Sequence, residues 1–261
     1  MVFLNIVNVK KIELKDNEII IRCKDVKSIL EDLLNEFGEE DNVELDESLK
    51  DEIIKYISEE KRVYHILKFK NFIEKYNIQI DASKFNLEEI FRNNNLTSIY
   101  NFLKFFKLDN EENMKSLIAK LRFYRDFENI IELYKIAEGE VKNEALKKAR
   151  EILEDEINIF KKSPIEKIKS WIRREYSSII DIIQYIEIIY KNDVEEEFKD
   201  LIDIFVKTIK EETENFENYL GKRLKRVIKL RLKKTDNEHI HREAKIFAKI
   251  LNSPEFLIDL M

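Results

Sequence analysis

The hydrophobic pattern of the chain begins as that of strands and then changes to that of helices. Two runs rich in β-branched and apolar residues, 2–14 and 19–23, flank a polar turn and predict a β-hairpin over 2–23. From Asp25 the apolar positions recur about every 3.6 residues, which predicts a helix capped by Asp25 and ended by Gly38. A lone hairpin is only marginally stable, so we expect it to pack on helices, a third strand or a partner.

The helical spacing continues through the rest of the chain. In the first part it predicts short helices at 47–58, 61–77, 87–92 and 96–107. In the second part it predicts helices at 110–138, 140–162, 164–191, 194–234 and 237–251, the fourth either continuous or bent at Gly221. Long helices with short connections are typical of antiparallel bundles. The predicted fold is therefore mainly α, with an N-terminal α+β region at 1–108 and an antiparallel long-helix bundle at 109–261.

The composition agrees with a helical protein and excludes several other classes. Only 3 Gly and 2 Pro occur in 261 residues, too few turn residues for a β-sandwich. A hydrophobic fraction of 44% excludes a fully disordered chain. No apolar run approaches the roughly 20 residues of a membrane span, and the first residues lack the features of a signal peptide. We therefore expect a cytoplasmic protein without a membrane partner.

Charged residues make up 38% of the chain, with Lys and Glu dominant. This composition is typical of the surface ion-pair networks of hyperthermophilic proteins, so we expect a thermophilic microbe as the source. The formal net charge of −6 favours solubility and does not indicate a general nucleic-acid coat.

The sequence contains no recognisable catalytic motif. Three glycines cannot build a glycine-rich phosphate loop, and Gly-x-Ser-x-Gly is absent. The single cysteine, Cys23, is read as a small buried hydrophobe, with a reactive thiol as the alternative. Glu238-x-x-His241 has the spacing of a di-iron helix motif, but no second copy accompanies it. We therefore predict no catalytic residue, cofactor or metal, and keep a metal-dependent helical-bundle enzyme as an alternative.

The most distinctive feature is a reversal of charge late in the chain. Residues 193–217 contain ten acidic residues and three Lys, a net of −7, whereas 222–234 contain eight basic residues and no acidic one. On a helix, five of the basic side chains fall within about 100° of one another. These are Lys222, Lys225, Arg226, Lys229 and Lys233.

Three interpretations of this basic stripe remain open. It is a solvated helix face paired in part with the acidic stretch 193–217, a surface for nucleic-acid phosphates, or a docking surface for an acidic protein. Arg231 falls on the apolar side by phase, which indicates an ion pair, a partner contact or the helix end. Trp171 is predicted as a core residue between helices, with an interface residue as the alternative. We expect a non-catalytic binding or assembly protein whose partner is an unknown protein, a second copy of itself or a nucleic acid.

The basic segment also resembles a known family. The stretch Tyr219-Leu220-Gly221-Lys222-Arg223-Leu224-Lys225-Arg226-Val227-Ile228-Lys229-Leu230, followed by Glu243-Ala244-Lys245-Ile246-Phe247, resembles the α-helical domain of the archaeal GINS replication-complex family. In that family a basic, Leu-rich helix precedes a short acidic helix. The resemblance is confined to 219–247, and no small β-domain is evident after the predicted bundle. It implies, as an alternative function, a non-enzymatic scaffold that joins helicase and polymerase.

Overall fold

A computed structural model of the chain describes residues 9–15, 18–23, 47–233 and 236–251. The described residues are mainly helical, which confirms the predicted fold class at that level. The helix predicted from Asp25 to Gly38 lies outside them. Within the described ranges, no helix is long and apolar enough to cross a membrane.

The first described elements are two strands, β1 (Val9–Lys15) and β2 (Glu18–Cys23), which pair antiparallel. In their register Leu14 lies opposite Ile19. The first residues of the predicted hairpin and its turn are outside the described residues, so the hairpin over 2–23 stays a prediction.

The chain divides into two compact units between Leu117 and Ile118. This point lies inside a helix, α6 (Glu111–Phe123), whereas we predicted a division at 108/109, in the connection before it. The helices that precede α6 are α1 (Glu47–Glu59), α2 (Val63–Lys68), α3 (Lys70–Lys75), α4 (Leu87–Asn93) and α5 (Leu96–Phe105).

Asparagine side chains begin three helices in this part of the chain. Asn86 caps α4 by accepting a 3.2 Å hydrogen bond from the backbone N–H of Glu89. Asn95 caps α5 in the same way. Asn110 caps α6 by accepting a 2.9 Å hydrogen bond from the backbone N–H of Asn113.

The second unit contains seven helices within the described residues. They are α7 (Phe127–Ile136), α8 (Gly139–Lys161), α9 (Pro164–Arg173), α10 (Ser178–Lys191), α11 (Lys199–Glu212), α12 (Tyr219–Lys233) and α13 (Glu238–Leu251). The helix predicted at 140–162 is confirmed by α8. The antiparallel order of the helices stays a prediction.

The helix predicted at 237–251 is confirmed by α13. The helices predicted at 110–138, 164–191 and 194–234 are wrong, because each is broken. The helix predicted at 110–138 is interrupted by Asp126, whose side chain caps α7. The helix predicted at 164–191 ends at Arg174, which has left-handed backbone angles (φ 66°), and Ser177 then caps α10. The connections are therefore made by residues other than Gly and Pro.

The helix predicted at 194–234 is also broken, by a left-handed turn between α11 and α12. Glu214, Asn215 and Phe216 have φ values of 46°, 54° and 70°, a region that costs side-chain-bearing residues of the order of 1 kcal/mol each. The side chain of Asn218 bridges the turn: its Nδ2 donates to the Glu212 carbonyl at 3.0 Å. Its Oδ1 accepts from the first turn of α12 at 2.7 Å.

Gly221 allows α12 to lie directly against this turn. A Cβ atom added at Gly221 would stand 2.3 Å from the Phe216 Cα and 2.7 Å from the Thr213 carbonyl oxygen, closer than real contacts allow. The chain therefore does not bend at Gly221, as the alternative prediction had it. Gly221 lies in the first turn of α12, where its backbone closely approaches that of the preceding turn.

Trp171 lies in the core of the second unit, as predicted. It is 1% exposed, and its ring meets the buried ring of Phe247 edge to face at a centroid distance of 4.8 Å. A second buried pair, Phe160 and Phe205, joins α8 to α11 at 5.2 Å. The first of these pairs joins α9 and α13, against which α12 packs.

We predict that Gly221→Ala lowers the free energy of unfolding by about 2 kcal/mol, as overpacking does elsewhere. Helix propensity alone would make the alanine variant more stable by up to about 1 kcal/mol. A loss of stability would therefore show that the close contact with Phe216 outweighs helix propensity. Urea denaturation followed by circular dichroism measures the change. The exposed neighbour provides the control, because Lys222→Ala should shift stability by less than about 0.5 kcal/mol. A Gly221→Ala protein as stable as the wild type would contradict the close approach.

Candidate functional site

Helix α12 has one buried side, which is apolar except for Arg231, and one basic side. Its sequence contains seven basic residues and no acidic one. Leu224, Ile228 and Leu232 are buried on one side of the helix. The packing of this apolar side turns most of the charges toward solvent.

The structure places the five predicted stripe residues unequally. Lys222, Arg226 and Lys233 are exposed, Lys229 is half-buried, and these four fall within about 60° of one another. Lys225 is also half-buried but lies toward the buried edge. We had not predicted Arg223, which is exposed on the other side of Arg226. We call Lys222, Arg223, Arg226, Lys229 and Lys233 the basic face.

Two large apolar side chains lie within the basic face. Tyr219 is 78% exposed and Leu230 is 55% exposed. They are eleven residues apart, which separates them by about 16 Å along the helix. Arg226 stands between them, so they do not form one continuous apolar patch.

Within the described residues, the acidic stretch 193–217 forms no ion pair with four residues of the basic face. Asp200 forms a two-point ion pair with Arg150 on α8, and Glu197 accepts a 2.8 Å hydrogen bond from the Tyr134 hydroxyl. Within the described part of the chain, no carboxylate oxygen lies within 4.0 Å of the charged nitrogens of Lys222, Arg223, Arg226 or Lys229. The predicted pairing with the acidic stretch is therefore not found for these four residues.

Arg231 has a structural task on the opposite side of α12. It is 5% exposed, and its Nη2 donates to the Trp171 carbonyl at 2.9 Å and to the Ile172 carbonyl at 3.4 Å. Its guanidinium carbon lies 4.1 Å from the centroid of the Trp171 ring, a cation–π contact. Because these carbonyls belong to the last turn of α9, Arg231 caps that helix. This contact with the end of α9 was not among the three predicted roles, because the helix end that we predicted was that of α12 itself.

The buried guanidinium of Arg231 lies near two other charged groups. Burial lowers its pKa, the positive charge of Arg174 lowers it further, and the carboxylate of Glu243 opposes both effects. The Glu243 Oε1 lies 3.2 Å from the His239 Nε2. The two arginines are therefore close enough for their charges to repel.

The candidate metal motif does not form a site. The His241 Nδ1 lies 3.2 Å from the Arg231 carbonyl oxygen, whereas Glu238 is exposed at the start of α13. Among the residues that the structure describes, no group of three or more His, Cys, Asp or Glu side chains is placed to hold a metal ion.

Acidic side chains gather elsewhere in the second unit, near Tyr176. Burial raises the pKa of Glu156, and the negative charges of Asp181 and Asp155 raise it further. The Tyr176 hydroxyl donates a 2.6 Å hydrogen bond to Asp181, which raises the pKa of Tyr176 to about 12. A tyrosine whose pKa is raised in this way stays neutral near neutral pH.

No protein-family model, curated protein or solved structure matches this chain. The interpretation of the basic face therefore depends on its own geometry and charge.

We predict that Arg231→Gln lowers the free energy of unfolding by about 2–4 kcal/mol, because charge-assisted hydrogen bonds and a buried cation–π contact are lost together. The emission of Trp171, the one tryptophan of the chain, should change in the same variant. Fluorescence spectra and urea denaturation measure both effects. Arg223→Gln, the same change on the exposed side, should leave emission and stability at wild-type values. Equal behaviour of the two variants would refute the capping role of Arg231.

Proposed function

We propose that this protein is a non-catalytic helical binding or assembly module that uses the basic face to hold an anionic partner, either a protein or a nucleic acid. One observation carries the proposal: four cationic side chains of α12 have no carboxylate partner among the described residues, while Asp200 and Glu197 of the acidic stretch bind side chains on other helices. Complementary charge on a partner is the interaction that such a surface favours.

The spacing of the charges supports this proposal. Lys222 and Arg226, and likewise Lys229 and Lys233, are four residues apart, so they are neighbours on the helix surface. Like charges at this spacing oppose helix formation by about 0.2–0.5 kcal/mol per pair. A bound polyanion would remove this repulsion, so part of the free energy of binding comes from relief within α12.

The helix is also held rigidly enough to present these charges in a fixed arrangement. Leu224 and Ile228 are fully buried, and Arg231 is bonded to the end of α9. The backbone of α12 is therefore ordered before a partner arrives, which reduces the entropy lost on binding.

A thermophilic source and a cytoplasmic location are further proposals. Surface ion pairs support the first, among them Lys61 with Glu89 and Arg92 with Glu88. The single cysteine fits a reducing compartment. The GINS-like scaffold rests on the resemblance over 219–247 alone, and the enzyme alternative has no metal-binding group within the described ranges to support it.

We predict that Lys222→Glu combined with Arg226→Glu weakens binding to a polyanion at least about tenfold at low salt, a loss of about 1.4 kcal/mol. Two fluorescent probes are used, a 20-base-pair DNA duplex and a 20-residue polyglutamate peptide, and anisotropy gives the affinity for each. The wild-type chain should bind at least one of them.

The matched control reverses two exposed lysines of α8, Lys147→Glu with Lys161→Glu, which changes the net charge by the same amount. This control should lose less than threefold, since its charges lie on another helix. The proposal would be refuted if the wild-type chain bound neither probe in 50 mM salt. It would also be refuted if the control lost as much affinity as the α12 double variant.

A further inference from the structure

We propose that the partner of the basic face is duplex DNA, held through its phosphate backbone without regard to base sequence. This inference rests on the proposed function and names the partner class within it. The following observations favour DNA over the other anionic partners.

Four cations of the basic face, three of them exposed and one half-buried, form a single row along α12. Lys222, Arg226, Lys229 and Lys233 follow one another at intervals of three or four residues, and the row is about 16 Å long. One strand of B-DNA carries one phosphate for about every 3.4 Å of its axis. A row of this length therefore lies alongside four or five phosphates, enough for each cation to contact one.

The basic face lacks the continuous apolar patch that forms the centre of a protein interface. Three of its five cations are lysines, a residue that is depleted at such interfaces. Its exposed apolar side chains, Tyr219 and Leu230, are separated by Arg226 along the helix. An acidic protein would bury few apolar atoms here, while phosphates require none.

The shape of the basic face favours a duplex over a single strand. Single strands are held in grooves where several aromatic rings stack on the bases. Tyr219 is the one aromatic residue of α12, and the face is the convex surface of a helix. The major groove of B-DNA admits an α-helix, whereas that of duplex RNA is too narrow and deep.

The test is the salt dependence of DNA binding by the full 261-residue chain. Affinity for a 20-base-pair mixed-sequence duplex is measured by anisotropy between 50 and 200 mM KCl. Four phosphate contacts give a slope of log K against log [salt] of about −3.6. Lys222→Gln and Arg226→Gln should each make the slope shallower by about 0.9, and a second duplex of unrelated sequence should bind within threefold. Lys147→Gln on α8 is the control and should leave the slope unchanged.

A double variant at two other positions keeps the inference testable if one of the first variants misfolds. Lys229→Gln with Lys233→Gln changes two exposed or half-exposed side chains and should make the slope shallower by about 1.8. Trp171 emission at the wild-type value shows that each variant is folded. Unchanged slopes in all of these folded variants would overturn the inference.

Three further probes separate this inference from the proposed function. The duplex should bind at least about tenfold more tightly than polyglutamate, a 20-nucleotide single strand or a 20-base-pair RNA duplex. Tighter binding of polyglutamate, lost in the α12 variants, would overturn DNA as the partner and leave the proposed function standing. Tighter binding of the single strand or of RNA would overturn the choice of duplex DNA. No binding to any probe would overturn both proposals.

Discussion

The orientation of α12 depends on one buried cation, Arg231. Its guanidinium lies over the Trp171 ring and donates to carbonyls at the end of α9. A buried guanidinium without partners would cost several kcal/mol, and this penalty opposes any rotation of the helix that withdraws Arg231 from them. Because the side chains of one helix turn together, Arg231 also determines which residues of α12 face solvent. The basic face is in this sense a consequence of a contact on the other side of the helix.

Helical periodicity predicted some elements of the fold accurately and others poorly, for a physical reason. The helix predicted at 140–162 agrees with α8 to within one residue at each end. Its apolar positions continue up to Ser163 and Pro164, which follow the end of the helix. The predictions at 164–191 and 194–234 failed because the breaks use Arg174 and the turn at 214–216, which contain neither Gly nor Pro. Left-handed angles at such residues are imposed by packing and capping across the unit, and local sequence carries little sign of them.

The candidate site could be predicted in part for the same reason. Exposure of Lys222, Arg226 and Lys233 and burial of Arg231 follow from a period of 3.6 residues and the positions of the leucines. The outcome for Lys225 and Arg223 depends on a rotation of a few tens of degrees about the helix axis. That rotation is determined by contacts such as the one from Arg231 to Trp171, sixty residues earlier. Helical periodicity therefore predicts which side of α12 is charged, but not which residues lie at the centre of that side.

The charge of the whole chain, −6, gives little information about this helix. A stretch with a net charge of −7 directly precedes α12, and mutual neutralisation would be the simplest electrostatic outcome. The fold instead pairs Asp200 with Arg150 and Glu197 with Tyr134. The basic residues of α12 then repel one another at each helical turn, a cost that no described carboxylate near Lys222 or Arg226 offsets. This repulsion on one rigid surface is the reason for proposing an anionic partner from outside the chain.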